Sequence, residues 1–266
     1  MMADIESPDY ERRYSGVRRL YGDQGLLKLQ AAHVCVIGIG GVGSWAVEAL
    51  ARSAVGKITL VDLDNIAESN VNRQLHAVDG AFGMAKVTAM AHRIKSINPD
   101  CIVHEIEDFV TAENVAQILS VDFEAVLDAI DDAKAKVAVV AYCKQRNIPL
   151  VTVGGAGGRL DPTRIKHGDL SQVVGDRLLA KVRNQLRRDH GFPKAPSNHK
   201  KNPAKFGITA VYSDEKVLQP NADIESSCEV DHSITGLNCA GYGSSVCVTA
   251  PFGMSAAAIV LNQILK

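Results

Sequence analysis

Short apolar runs punctuate this chain at residues 34–37, 58–61, 125–130 and 150–153, and residues 102–106 form a fifth run of strand character. Residues 34–37 are an unbroken apolar run, which fits a parallel strand covered on both faces. Between them apolar positions recur every three or four residues, which predicts helices over 42–54, 83–97 and 134–146, with another opening at Thr111. Gly56 ends the first of these, Asn98-Pro99 stops the second, and Thr111 with Asn114 gives an N-cap signal. Ahead of them, residues 9–31 read as a helix followed by a loop, with Leu26, Leu27 and Leu29 at near-helical spacing. Strands alternating with helices predict an α/β fold, a doubly wound and mostly parallel sheet with right-handed crossovers.

After residue 158 the rhythm changes. Residues 161–173 read as a turn and a strand, and 176–190 as a charged helix. A loop rich in Pro, Asn, Lys and Gly covers about 191–206, a strand lies near 208–213, and a polar loop covers about 219–240. Residues 234–263 carry no charge, and a hydropathy window flags them as a membrane span. Glycines, serines and Pro251 interrupt the stretch, so it reads as a strand, a turn and a buried helix over about 251–265. We take residues 1–158 as a nucleotide-binding core with its N-terminal helix, and 159–266 as a C-terminal elaboration of the same domain on the substrate side.

Composition changes this picture only locally. The 266 residues are 46% hydrophobic and 22% charged with a net charge of −1, so no global basic field advertises nucleic acid. Between Arg177 and Lys205, however, nine Lys and Arg face a single acid, Asp189. Such a patch suits RNA phosphates, or it is a solvated helix and loop. The six cysteines (Cys35, Cys101, Cys143, Cys228, Cys239, Cys247) form no CxxC pair, so reduced thiols are expected and a zinc site is not. No secretory signal opens the chain, which with the buried reading of the C-terminus gives a cytoplasmic protein without a stable membrane partner.

The candidate chemistry begins where the first strand ends. Gly38, Gly40, Gly41 and Gly43 fall where the chain turns from that strand into its helix, letting a phosphate approach the amides at the helix N-terminus. Asp62 closes the second strand at the position of a ribose-binding acid, so the first reading is a Rossmann-like dinucleotide site and an NAD(P)-dependent oxidoreductase. The alternative is that Asp62 only ends the strand and caps the next turn. The residues after Asp62 do not fit a simple NAD enzyme. Asp64, Asn70, Arg73, Gln74 and then Lys86 supply carboxylate, amides and two cations, a set suited to a triphosphate. Without that company Arg73 and Lys86 would be solvated surface cations. Asp131-Asp132 comes after the fourth strand, at the edge where open α/β sheets put their sites, and reads as a magnesium ligand or as a helix cap. No GxxxxGK[ST] loop is present.

The sequences GIGGVG and VDLDNIAESNVNRQ, then Lys86 and DAIDD, occur in that order within residues 13–160 and resemble the E1-like adenylating superfamily of ThiF, MoeB and HesA proteins. The resemblance implies ATP and Mg²⁺, with Gly40, Gly41 and Gly43 lining the phosphates and Asp62 holding the ribose. It assigns Asn70, Arg73 and Lys86 to the triphosphate region, Asp131 to the metal, and catalysis to Arg73, Lys86 and Asp131, with Gly38, Asp64 and Gln74 also counted in the ATP site. Many members carry an RYxR motif whose last Arg reaches the partner's site in a homodimer. Here Gly16 stands there, leaving Arg18 or Arg19 as candidates. The stretches RRYSGVRRLYGDQG, AYCKQRNIPLVTVGGAGGRLDPT and LNCAGYGSSVCVTAPFG resemble one branch, the tRNA threonylcarbamoyladenosine dehydratases. That branch implies ATP-dependent cyclisation of N6-threonylcarbamoyladenosine, tRNA as partner, and a link to sulfur-relay proteins such as a cysteine desulfurase. Cys239 is then either an acyl acceptor or a packing residue, and His76 either lines the site or hydrogen-bonds structurally. Adenylation of a sulfur-carrier protein's C-terminus is the alternative within the same chemistry, and a non-catalytic scaffold in sulfur trafficking is the alternative outside it.

Overall fold

The computed structural model describes residues 9–195, 203–218 and 242–266. The 219–240 loop, Cys228, Cys239, Lys200 and Lys201 lie outside them. Strands β1 (His33–Ile37), β2 (Lys57–Val61), β3 (Ile102–Ile106), β4 (Ala125–Asp128), β5 (Leu150–Val153), β6 (Ile165–Asp169) and β7 (Thr209–Ser213) form one seven-stranded sheet in the order β3-β2-β1-β4-β5-β7-β6. All neighbours are parallel except β6, which runs antiparallel to β7. The order reverses between β1 and β4, and in open α/β sheets such a switch point opens the crevice that takes a ligand.

The helices cover both faces. Helices α2 (Gly43–Arg52), α3 (Lys86–Ile97) and α7 (Val246–Leu265) bury Val47, Leu50, Met90, Ile94, Phe252 and Val260 against Val34, Val36, Ile58, Leu60 and Leu127. On the opposite face α5 (Ala133–Arg146) and α6 (Arg177–Asp189) bury Val139, Val140, Leu179, Val182 and Leu186 against Cys35, Ile37 and Val126. Each face therefore has its own core, and the continuous apolar character of the central strands results from being covered twice. The edge strand β3 is largely exposed, with Ile102 at 51%.

Helix α1 (Tyr10–Ala31) runs on where a loop is expected, but it is broken at Gly22, whose φ of +73° no helix contains. Arg13 ties it to the body of the molecule by donating to the Ile97 carbonyl at 2.7 Å. The helix expected to open at Thr111 starts later: Thr111 Oγ1 accepts the Glu113 and Asn114 amides in a turn, and α4 (Val115–Ile118) follows Asn114 as a single turn without a side-chain cap.

The largest departure is at the C-terminus, where α7 begins at Val246 and no strand precedes Pro251 among the described residues. The Ser245 side chain caps the helix by accepting the Cys247 amide, and Pro251 sits within the second turn. The helix gives up one internal bond there and is held by packing instead. A Cβ at Gly253 would overlap the Val42 carbonyl oxygen and come within 3.0 Å of Trp45 Cβ, so glycine is what lets α7 lie directly on α2. Helix α7 is long and apolar enough to cross a membrane by composition. It nevertheless buries Phe252, Ala256, Ala257, Val260 and Leu261 inside the fold.

Candidate active site

The sheet's carboxyl edge around the switch point encloses a cavity of about 790 Å³. Backbone crowding dictates its glycine wall. Gly38 has φ +85°, and a Cβ there would lie 2.9 Å from the Ala129 carbonyl carbon; one on Gly43 would overlap the Gly38 carbonyl oxygen. Strand β1 can turn this tightly between its neighbours only as glycine. The N-cap residue of α2, Val42, has no side-chain acceptor to offer, so the amino end of α2 faces the cavity with its positive partial charge uncompensated by a cap.

Asp62 ends β2 with both oxygens engaged, Oδ2 by the Ile39 amide at 2.6 Å and Oδ1 by the Asp64 amide at 2.9 Å. Burial pushes its carboxyl pKa up, opposed by the Lys86 charge and by these two amides. Lys86 opens α3 at 5% exposure, with Nζ 2.6 Å from Asp64 Oδ2 and 3.9 Å from Asp62 Oδ1. Because the Asp64 side chain is 55% exposed, the ammonium is shared between one dry carboxylate and one wet one.

Arg73 comes after a single 3₁₀ turn over Glu68–Asn70. Its Nη1 donates to the Ser69 carbonyl at 2.8 Å and to Asn72 Oδ1 at 3.0 Å. Burial lowers the guanidinium pKa and the Asp131 charge opposes the shift. The Arg73 carbonyl is held from behind by Trp45 Nε1 at 3.0 Å, and the Arg73 side chain crosses Gly41 so closely that a Cβ there would sit 3.0 Å from its Cγ. Of the two aspartates after β4, Asp132 Oδ2 caps α5 through the Ala135 amide at 2.8 Å, while Asp131 lines the cavity. Beneath them a fully buried pair braces the β4–α5 joint. Lys136 Nζ donates to Asp128 Oδ2 at 2.9 Å, which also accepts the Thr152 hydroxyl at 2.7 Å.

The ThiF family pattern matches residues 10–259. This chain belongs to the ThiF family. It is 45% identical over 267 residues to the tRNA threonylcarbamoyladenosine dehydratase of Haemophilus influenzae, covering 100% of this chain and 97% of that protein. Among solved structures it resembles the E. coli tRNA N6-threonylcarbamoyladenosine dehydratase in complex with ATP, with a TM-score of 0.84, 43% identity, and coverage of 97% of this chain and 96% of the other. The same E. coli protein in complex with AMP gives a TM-score of 0.85 at 43% identity, covering 98% and 97%.

In this ThiF-family chain the cavity gathers Gly38, Gly40, Gly41, Asp62, Asp64, Asn70, Arg73, Gln74, Lys86 and Asp131 on its walls. Gly43 stands behind the wall as the turn's spacer. Arg18 and Arg19 are exposed on α1 and line none of it; Arg18 pairs with Glu11 at 2.7 Å and Asp23 at 2.5 Å. His76 is buried behind the wall and, among the described residues, neither ring nitrogen has a hydrogen-bond partner. Burial first and the Lys86 charge second lower its pKa to about 4, so it is neutral in the fold.

Sequence reasoning missed two supports of the ThiF-family site. The buried Arg159 and Asp176 clamp the glycine loop after β5: Arg159 Nε donates to the Gly155 carbonyl at 2.8 Å, Arg159 Nη2 meets Asp176 Oδ2 at 3.2 Å, and the same oxygen accepts the Gly155 amide at 2.9 Å. Phe109, 56% exposed on the cavity rim after β3, is the second. A capping acid three residues before Leu179 was a legible signal for Asp176; nothing in the pattern marked Phe109.

Proposed function

We propose that this chain uses ATP to remove water from N6-threonylcarbamoyladenosine in tRNA, through adenylation of the threonyl carboxylate. The observation that carries this reading is the 45% identity to a tRNA threonylcarbamoyladenosine dehydratase across the full length of both chains. The cavity supplies what such a reaction needs. The amino end of α2, Lys86 and Arg73 would receive the triphosphate, and Asp62, which retains free lone pairs after accepting two amides, would take a ribose hydroxyl. Asp131 offers a hard oxygen donor beside the phosphates, the donor type magnesium takes together with phosphate oxygens, and the ion would offset phosphate charge there.

In the first step a carboxylate oxygen of the threonyl group bonds to the α-phosphorus and pyrophosphate leaves. Two anions are being joined, so Lys86 and Arg73 reduce the repulsion and stabilise the charge that builds on the leaving group. In the second step the carbamoyl nitrogen attacks the mixed anhydride, loses its proton, and AMP departs. The nucleophile is on the same molecule as the anhydride, which removes most of the entropic cost. The nucleoside loses one water in total. In this reading the core over 1–158 holds the nucleotide, and 159–266 contributes to the substrate side. The protein acts in the cytoplasm as a homodimer, with Arg18 or Arg19 as the arginine offered to the partner, and exchanges with a cysteine desulfurase system.

Mass spectrometry of nucleosides from tRNA incubated with the protein, ATP and magnesium tests the reading. The expected result is conversion of threonylcarbamoyladenosine to a product one water lighter, with one AMP formed per product. ATP-independent conversion, or none, would sink it.

A further inference from the structure

Beyond Arg73 lies a second pocket of about 560 Å³, walled by Val71, Asn72, Arg73, Tyr242 and Ser244 among others. We propose that it receives the modified nucleobase of the RNA substrate, with the Tyr242 ring as its stacking surface. The inference rests on the function proposed above and names the substrate subsite of that function.

Arg73 lines both compartments. A substrate whose carboxylate must meet the α-phosphorus, while its base stays attached to RNA, needs a compartment on the far side of that arginine. The walls suit a base. Val71 is 56% exposed and Tyr242 is half-buried, an apolar side chain and an aromatic ring facing the same space. Proteins that act on groups attached to single-stranded bases hold the base by stacking and by polar contacts at its edge.

The pocket is built from three distant segments pinned to one another. Asn72 Nδ2 donates to the Ser244 carbonyl at 2.8 Å and the Val246 amide donates to the Asn72 carbonyl at 3.1 Å. The Gly158 amide donates to the Gly243 carbonyl at 2.8 Å, and a Cβ on Gly158 would lie 3.2 Å from Tyr242 Cδ1, so the ring rests against bare backbone. Arg177 Nη1 donates to the Tyr242 hydroxyl at 3.0 Å. Arg177 is the first residue of α6, whose exposed side chains include Lys181 and Arg188. An aromatic ring therefore sits at the junction of a cationic helix and the adenylation cavity, where the phosphates of a bound RNA and its base diverge.

Steady-state kinetics on tRNA carrying threonylcarbamoyladenosine, together with calorimetric ATP binding, test this. Tyr242→Ala should raise KM for the tRNA about 10-fold or more and leave ATP affinity unchanged within about twofold. Tyr242→Phe keeps the ring and should restore most of the loss. Should Tyr242→Ala fail to fold, Val71→Asp, at an exposed residue that also lines the pocket, should give the same KM rise. An unmoved KM in the alanine variant, or a KM rise matched by an equal loss of ATP affinity, overturns the subsite. A wild-type protein that leaves threonylcarbamoyladenosine intact overturns the functional reading as well, so the two failures are separable.

Discussion

At the scale of single residues, Lys86 is where the fold meets the proposed chemistry. At 5% exposure its ammonium would be costly alone, and it is retained because Asp62 and Asp64 face it. Phosphates would compete for the same charge, since the exposed Asp64 can yield its place to water and ligand. Lys86→Met should lower the rate of AMP formation by about 10²–10³, the usual cost of one preorganised charge at a developing anion; a loss below tenfold would remove Lys86 from the reaction. His76 makes a prediction on stability. Its pKa in the fold is lowered to about 4 from an ordinary 6.5, and that of His33 likewise to about 4 by burial. Between those values the unfolded chain binds more protons than the folded one, so stability rises with pH. The contribution is fully present above about pH 6.5 and lost as pH falls toward 4, about 3 kcal/mol for His76 at the acid end and less for His33. His76→Leu should flatten the acid limb of a urea-midpoint-versus-pH curve, leaving the His33 share.

At the scale of elements, the β4–α5 joint sets the position of Asp131. Lys136→Met would strand the Asp128 carboxylate in a site of 0% exposure and should cost about 3–5 kcal/mol in denaturant unfolding, far more than a surface pair. This joint also marks the limit of what the pattern discloses. Central strands and the glycine turn were legible because double coverage demands apolar runs and a crowded switch point demands glycine; the observed β5 bounds coincide with the expected ones. Lys136 was not legible, because a lysine on a helix normally points to water, and only the fold brings Asp128 and Thr152 to it. Helix α7 departs from its pattern for a related reason. Small residues and a proline mimic a turn, and the compensation, close packing of Gly253 on α2, is visible only in three dimensions. The site's walls were legible in part, since Asp62, Arg73 and Lys86 come from one contiguous stretch, whereas Phe109 and Tyr242, and the supporting Arg159, converge from distant loops.

For the whole molecule, the near-zero net charge conceals a local excess of cations. The net charge is −1, yet α6 and the segments around it leave Arg177, Lys181, Arg188, Lys194 and Lys205 exposed. Affinity for tRNA should fall at least tenfold between about 50 and 200 mM salt, and Lys181→Glu with Arg188→Glu should weaken binding and flatten that slope; a salt-insensitive Kd would place the RNA elsewhere. The chain also carries its own optical reporter. Its single tryptophan, Trp45, is on α2 at the amino end that would face the phosphates, and its indole N–H is bonded to the carbonyl of Arg73. Any movement of the Arg73 turn toward a triphosphate must stretch or release that bond, so indole emission should shift on ATP addition in the unmodified protein. One fluorophore, bonded to the residue that lines both compartments, lets nucleotide loading be timed separately from the arrival of RNA.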